Sequence, residues 1–559
     1  MLVLGIADNH DAGAALVEDD HVVAAVNQER VDRVKLSGAF PWAAIDATLE
    51  TVGANIKDVD RVIVGTAFTP SIALRLFRDQ HRAARDQGTF TPLLNAYIAY
   101  QSGLRRTGLH SIEHEANRVF LEGLLQRGGL GHAQLYLYNH HRSHAESAYR
   151  TQDDPDALVL TCDAMGDGIS ATASIGEDGQ LIPLWNQSGL GSVGLFYSRI
   201  TELLGFKPNR HEGKVTGLSA CAQAPAALVC RLEQALRFVG PGFNRVNPFK
   251  AHRKDDPFYA AIHNYSREEV ASAAQVVLER AVTQFVSHWV EKTGRSTVTV
   301  AGGIFANVKL NQRIKDLPGV DSLWIAPHMG DGGLAVGAAL GHVQAPPTRL
   351  RNAYLGPSYS QRDIGRALAV HGIPRTKPKD PIAAVAEHLA RGKVVARFAG
   401  RLEWGPRALG NRSILYKADD PTVNDWLNEK LSRTEFMPFA PLTLQEDAEA
   451  SYEGLSTASH AAEFMTVAFQ CTSQMKQQNP GVVHVDGTAR PQLLNAEANP
   501  DLHAILSKYK EKSGSGTVLN TSFNLHEEPI VCTPGDAIRA WRHAELDVLA
   551  IGPFVIERE

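Results

Sequence analysis

Cysteine is scarce in this chain: five residues in 559, an odd number, with no pair close enough for a CxxC motif. That count argues against a disulfide framework and against a cysteine-based zinc site, and it fits a reducing cytoplasm, the expected location. Cys162 follows an apolar run and precedes Asp163, so it reads as a small core residue. An excess of basic charge is also missing. With 56 Lys and Arg against 61 Asp and Glu, the formal charge is -5, which offers no signature of a nucleic-acid partner. Nor is there an apolar run of about 20 residues. The opening MLVLGIADNHDAG has no basic region and breaks early into polar residues, so neither a signal peptide nor a membrane span is expected. What remains is an ordinary globular composition, 44% hydrophobic and 21% charged, in a chain too long for one core. Two or more domains are expected.

The first apolar strand, at 1–7, runs into a polar turn, Asp8-Asn9-His10-Asp11, and then into a hairpin turning at Glu18-Asp19-Asp20. The same plan recurs in ALVLTCDAMGDGISATASIGEDGQLIPLW. Aligning the copies places Leu2 on Leu158, 156 residues later, and Glu18-Asp19 near Glu177-Asp178. Agreement in strand order, turn position and acidic loop predicts a duplication. A duplicated hairpin with an Asp/Gly loop is how the actin-like ATPase architecture grips a phosphate chain, which draws Asp167 and its glycines into a nucleotide site. Between the copies, 70–130 carries helical periodicity and reads as an insertion or cap.

Within YNHHRSH, His140 and His144 lie four residues apart, one turn apart on the same face if the segment is helical. Such a pair can hold a divalent metal once other segments complete its ligands; a His-rich helix end in water is the alternative. Asp163 and Asp331, each at the end of an expected strand, are the carboxylates that could join. Downstream, RHEGKVTGL puts Glu212 and Lys214 beside glycines, suited to a nucleotide or to a plain solvated turn. The residues 266–295 read as a long amphipathic helix. A strand at 297–301 then enters Gly302-Gly303 and Asn307, where helix N–H groups would face a ligand.

Ala345-Pro346-Pro347 breaks this pattern and marks the expected boundary, giving domains 1–345 and 346–559. The second domain carries GRLEWGPRALGNRS, with Arg401, Arg407 and Arg412 within twelve residues. Guanidinium forks among glycines suit phosphate or carboxylate, and Trp404, Pro406 and Leu409 point to a partly buried loop rather than a solvated one. Short polar patches follow at KLSRTEFMPFAP, HVDGTARPQ and NTSFN.

Together these motifs, in order and across nearly the whole chain, resemble the O-carbamoyltransferases of the NodU and nebramycin-synthase type. The resemblance implies an α/β protein: a duplicated actin-like ATPase (ASKHA, Kae1-like) N-terminal domain followed by a YrdC-like C-terminal domain. It implies that carbamoyl phosphate and ATP, with Mg2+, form carbamoyl-adenylate in the second domain, and that the first transfers the carbamoyl group to a hydroxyl of a small natural product. By the same resemblance His140, His144, Asp163 and Asp331 are ligands of Fe2+ or another divalent metal, and His10, with Asp11, is the base toward the acceptor. Glu212, Lys214, Gly302, Gly303 and Asn307 match adenylate-holding loops. Arg407, Arg412, Lys430, Arg433, His484, Arg490, Asn520 and Ser522 fall in segments that bind carbamoyl phosphate and ATP. Three positions depart from the pattern: Ala164 stands where glycine is expected, Met437 where arginine is frequent, and Lys430 is one residue out of register. Two other readings stay open, a threonylcarbamoyladenosine-type tRNA-modifying enzyme and a non-catalytic nucleotide- and metal-binding regulator. The acceptor is unreadable from the residues, and so is the assembly, for which a homodimer is one option.

Overall fold

The computed structural model describes residues 1–77, 92–244, 261–431 and 438–558. Two compact units emerge. Unit 1 comprises Met1–Val23, Gly38–Pro41 and Ala54–Arg349; unit 2 comprises Ala24–Ser37, Trp42–Gly53 and Leu350–Glu559. The last segment of unit 1 ends at Arg349, and the chain also contributes an early excursion to unit 2. Within unit 2 that excursion finds specific partners. Arg33 donates to the carbonyls of Ile530 (2.6 Å) and Pro529 (2.8 Å), Arg30 to that of Gly405 (2.8 Å), and the Ala25 N–H to that of Leu355 (3.1 Å). Contacts between residues hundreds of positions apart leave no periodic trace, so sequence order alone hides them.

Two five-stranded sheets, drawn mostly from unit 1, organise the N-terminal part of the chain. The first contains β1 (Leu2–Ala7), β2 (Gly13–Glu18), β3 (His21–Asn27), β4 (Arg61–Val64) and β5 (Gln134–Leu137), in the order β3-β2-β1-β4-β5. The second contains β6 (Leu158–Gly166), β7 (Ile169–Glu177), β8 (Gln180–Ser188), β11 (Thr297–Ala301) and β12 (Ser322–Ile325), in the order β12-β11-β6-β7-β8. A small ladder of β9 (Phe238–Val239) and β10 (Gly242–Phe243) stands apart. Taken from the hairpin side, the two sheets have one strand order. In each, the first strand pairs antiparallel with the second and parallel with the fourth. The first strands are central and almost wholly buried, which explains apolar runs without alternation.

Helix Leu334–His342 packs on β1 and on helix His140–Arg150. Its small residues set the distance: a Cβ at Gly337 would stand 1.9 Å from the Ser143 carbonyl oxygen, so only glycine lets these backbones touch. Helix Arg267–Thr293 follows its expected span, opened by a Ser266/Glu269 capping box and closed by Gly294 in the left-handed region. The described residues of the insertion are helical across Ile72–Leu76, Pro92–Thr107 and His110–Arg127.

Unit 2 holds β13 (Val395–Phe398), β14 (Arg412–Lys417), β15 (Ala440–Leu444), β16 (Phe469–Gln470), β17 (Thr488–Ala489), β18 (Gln492–Leu494), β19 (Thr517–Ser522), β20 (Val548–Ile551) and β21 (Phe554–Glu557). All but the β16/β17 pair form one mixed sheet, ordered β18-β15-β19-β14-β13-β20-β21. Its core joins sheet residues Val395, Leu415 and Val518 to Leu389 of helix Pro381–Ala390 and Leu506 of helix Pro500–Ser513. Among the described residues, no helix is long and apolar enough to cross a membrane.

Candidate functional site

Asn139 opens the helix His140–Arg150 by accepting the Arg142 N–H at 3.1 Å, which sets His140 and His144 one turn apart. Both face the end of β6, where Asp163 stands, and the turn Asp331–Gly333 that starts the neighbouring helix. The intervening His141 points the other way. Its Nδ1 meets Thr161 Oγ1 at 2.7 Å and its Nε2 donates to the Ile169 carbonyl at 2.9 Å, so it is a neutral core residue. Burial, then the neighbouring imidazoles, pushes its pKa well below the usual value.

All four residues expected as metal ligands come together. One ligand atom from each of His140, His144, Asp163 and Asp331 lies within 4.8 Å of the others, and every one of the four is buried. His140 Nε2 is 3.2 Å from Asp163 Oδ2 and 3.6 Å from Asp331 Oδ1; His144 Nε2 is 3.4 Å from each. The second oxygen of each carboxylate is held by the protein. Asp163 Oδ1 accepts the N–H of Ala164 (2.7 Å) and of Gly303 (3.3 Å). Asp331 Oδ2 accepts Asn9 Nδ2 at 2.8 Å and lies 3.2 Å from His10 Nδ1. Outer partners of this kind fix ligand orientation at metal centres.

Electrostatics agree with a cation site. Burial opposes charge on His144, yet the two carboxylates outweigh it and push its pKa up to about 9. Burial would raise Asp163, but the imidazoles hold it well below the usual carboxylate range. Both ring nitrogens of His144 are buried without a hydrogen-bond partner among the described residues. Unsatisfied imidazole nitrogen facing two carboxylate oxygens is a donor set that fits a divalent first-row ion.

His10 thus sits beside the cluster with its side chain 42% exposed, while Asp11 Oδ2 lies 3.7 Å from His328 Nε2. Asn9 and His328 carried no assigned role in the sequence, because a short turn does not reveal which side chains turn inward.

Asp167, expected to face a nucleotide, is fully buried and engaged elsewhere. Its carboxylate accepts the N–H groups of Ala67, Phe68, Thr69 and His140 at 2.8–3.0 Å, together with Thr69 Oγ1 at 3.0 Å. It ties the loop after β4 to the start of the histidine helix. Glu212 accepts Ser198 Oγ (2.9 Å) and the Asn209 N–H (2.6 Å), and burial raises its pKa. Lys214 is buried on the same short helix, Glu212–Leu218. Asn307 caps the helix Val308–Lys315 and bonds with Gln275 and Thr216. Gly302, at φ 109°, could not carry a Cβ, which would lie 2.1 Å from the Cys162 carbonyl oxygen. The turn it permits delivers the Gly303 N–H to Asp163.

In unit 2, the arginine-rich loop is organised by a residue without an assigned role, Glu403. Its Oε1 accepts three backbone N–H groups, from Leu409 (2.8 Å), Asn411 (2.7 Å) and Arg412 (3.0 Å). A lone acid in a Gly/Pro-rich loop was the available signal. Arg412, expected on substrate, is fully buried and donates to the carbonyls of Ala399, Asn411, Gly400 and Pro357, with its guanidinium 3.7 Å from the Phe398 ring centroid. Burial lowers its pKa to about 10, so it stays charged at neutral pH. Arg401 likewise donates to Gly356 and Leu355 carbonyls. The two forks thus tie the loop to the segment 355–357 through backbone carbonyls. Arg407 is partly buried on the same loop. Asn520, on β19, donates to the Ala408 carbonyl (3.2 Å) and to Gln492 Oε1 (2.7 Å), and Ser522 pairs in register with Ser413. His484 Nδ1 meets Asp486 at 3.3 Å, Arg490 follows β17, and Lys430 ends the helix Val423–Lys430. Arg433 and Met437 lie outside the described residues.

Comparison with known proteins bears on both units. Residues 2–340 match a family model described as the carbamoyltransferase N-terminus, and 386–558 match the carbamoyltransferase C-terminus. An uncharacterized protein of Synechocystis sp. is 30% identical, over 100% of this chain and 96% of its own. Nodulation protein NolNO of Sinorhizobium fredii is 30% identical, over 98% of this chain and 79% of its own. Among solved structures, the Acidaminococcus fermentans (R)-2-hydroxyglutaryl-CoA dehydratase component A aligns with a TM-score of 0.35 at 13% identity, over 61% of this chain and 96% of that one. With the N-terminal match alone spanning more than half of its residues, the chain belongs to the carbamoyltransferase family and is an enzyme of that class.

Proposed function

We propose that this carbamoyltransferase is an ATP-dependent O-carbamoyltransferase working in two steps. In the C-terminal part, 346–559, water opens carbamoyl phosphate to carbamate and phosphate, and a carbamate oxygen displaces pyrophosphate from the α-phosphorus of ATP. In the N-terminal part, 1–345, the hydroxyl oxygen of a small natural product attacks the carbonyl of the carbamoyl-adenylate, and AMP leaves. Adenosine gives the donor handles whose binding energy can align the carbonyl.

The observation that carries this reading is the division of labour within Asp331. One oxygen faces His140 and His144; the other lies 3.2 Å from His10. His10 takes the proton of the acceptor hydroxyl, and the carboxylate beside it orients the ring and steadies the imidazolium that forms. His140, His144, Asp163 and Asp331 would hold Fe2+ or another divalent ion, which supplies Lewis acidity toward phosphate or carbonyl oxygen. Glu212, Lys214 and the backbone at Gly302 and Gly303 position the adenylate. Arg407, Lys430, Arg433, His484, Arg490 and Ser522 bind carbamoyl phosphate and ATP, with Arg412, Asn520 and Glu403 shaping their loop.

The shared strand order of the two unit 1 sheets supports a duplicated, actin-like Kae1-type fold for the first part. A YrdC-like second part follows from the motif order. Mixing the metal-loaded chain with ATP and carbamoyl phosphate should give carbamoyl-adenylate and pyrophosphate. Arg407→Ala should abolish that step, whereas His10→Ala should block only transfer to the acceptor. Loss of the same step in both variants would refute the division.

A further inference from the structure

A cavity of about 360 Å³ beside the helical insertion is lined by residues to which the chemistry above gives no role. Its volume is in the range of small-molecule sites. Phe68 supplies an apolar wall; Arg105, His110, Ser111 and His114 supply polar groups from two insertion helices; Asn139 closes the side next to the histidine helix.

Two features tie this cavity to the metal-ligand cluster. Asn139 precedes His140, so one cavity wall is a single Cα step, about 3.8 Å, from a proposed ligand. The N–H groups of Phe68 and His140 also share the Asp167 carboxylate, at 2.9 and 2.8 Å, which fixes wall and ligand to one anchor.

The lining has a definite polarity. Arg105 spends one N–H on the Asp167 carbonyl at 3.1 Å. The His110 ring lies 5.7 Å from the Phe68 ring, and its Nδ1 is buried without a hydrogen-bond partner among the described residues. His114 follows His110 by four residues and shares its face. Among the described residues, no carboxylate lines the cavity. Of the described acids close by, Asp167 accepts backbone N–H groups, Glu113 accepts the Ile72 N–H (2.6 Å) and the Tyr100 hydroxyl (3.1 Å), and Glu115 pairs with Arg118. A guanidinium and two imidazoles in the lining, with no carboxylate among the described lining residues, favour an anionic, oxygen-rich ligand and disfavour a polyamine.

Building on the proposed function, we infer that this cavity is the acceptor pocket, and that the acceptor is a hydroxylated small molecule bearing an anionic group: a carboxylate, phosphate or sulfate. Phe68 would hold its apolar face, and Arg105 with His114 its charge.

Calorimetric titration of the full chain tests this with glucuronate, glucose 6-phosphate and glucose 6-sulfate as probes, set against glucosamine. The anionic probes should bind and glucosamine should not, and the tightest of the three identifies the anionic group. Arg105→Gln and His114→Gln should each weaken anion binding by about tenfold or more, with melting temperature and circular dichroism reporting that the fold is intact. Failure of all three anions to bind, glucosamine binding as tightly as glucuronate, or unchanged anion affinity in both folded variants would overturn the inference. Carbamoyl-adenylate formation by the parent chain is assayed in parallel. Its absence, with anions still bound through Arg105, would refute the two-step reading and leave the cavity as an anion site.

Discussion

His144 Nε2 lies 3.4 Å from Asp331 Oδ1, across a junction where two helices meet at Gly337 with no room for a side chain. The contact links a histidine placed by helical spacing to an aspartate placed by a strand-to-helix turn, 187 residues on by subtraction of their numbers. It makes the geometry of the cluster depend on backbone packing outside it.

Gly337→Ala is therefore expected to act at a distance. Its Cβ would overlap the Ser143 carbonyl oxygen, and overpacking of this kind costs about 1–3 kcal/mol. A lowered melting temperature should accompany weaker metal binding. A variant that melts lower yet binds metal like the parent would show that helix spacing does not set the ligand positions.

Asn9 should behave as an orienting residue. Removing its bond to Asp331 in Asn9→Ala should reduce divalent-metal affinity by about 10–100-fold, measured by competition with a chromogenic chelator. Asn9→Asp should not restore it, since a carboxylate cannot donate to Asp331 Oδ2. Parent-like affinity in Asn9→Ala would remove the residue from the centre.

The clustering of the two histidines and two aspartates and most of unit 1 are legible because short-range rules govern them: a four-residue histidine spacing, apolar runs ending in acidic turns, a capping box at Ser266. Asp167, Asn307 and Arg412 are hard to read for a common reason. A polar residue in a glycine-rich loop reads alike whether it faces a ligand or caps its own backbone, and only the folded loop shows where the donors point. Glu403 leaves only the weak signal of a lone acid in a Gly/Pro-rich loop, and the early excursion to unit 2 leaves none because its partners lie far along the chain.

Glu403→Gln tests the loop-organising role. Halving the acceptor strength toward three N–H groups should lower the melting temperature of unit 2 and slow carbamoyl-adenylate formation, while leaving metal content at the His/Asp cluster unchanged. Unchanged melting and adenylate rate would show that the loop holds itself without this carboxylate.

Acid sensitivity should concentrate at Glu29 in unit 2. Burial would raise its pKa, but Lys35, Arg30 and the Leu36 N–H prevail and lower it from 4.5 to about 2. Because the folded value is the lower one, its stabilisation is present above about pH 4.5 and is lost as pH falls toward 2, with a full size of about 3 kcal/mol. Glu29→Gln should lower the melting temperature at neutral pH and flatten the pH dependence between those limits. Equal slopes for variant and parent there would contradict the assignment.

Anomalous diffraction from crystals of the full chain grown with Mn2+ is the most direct test of the centre. A single peak ligated by His140 Nε2, His144 Nε2, Asp163 Oδ2 and Asp331 Oδ1 is the predicted result. A peak elsewhere, or no peak while these four side chains keep their positions, would contradict it.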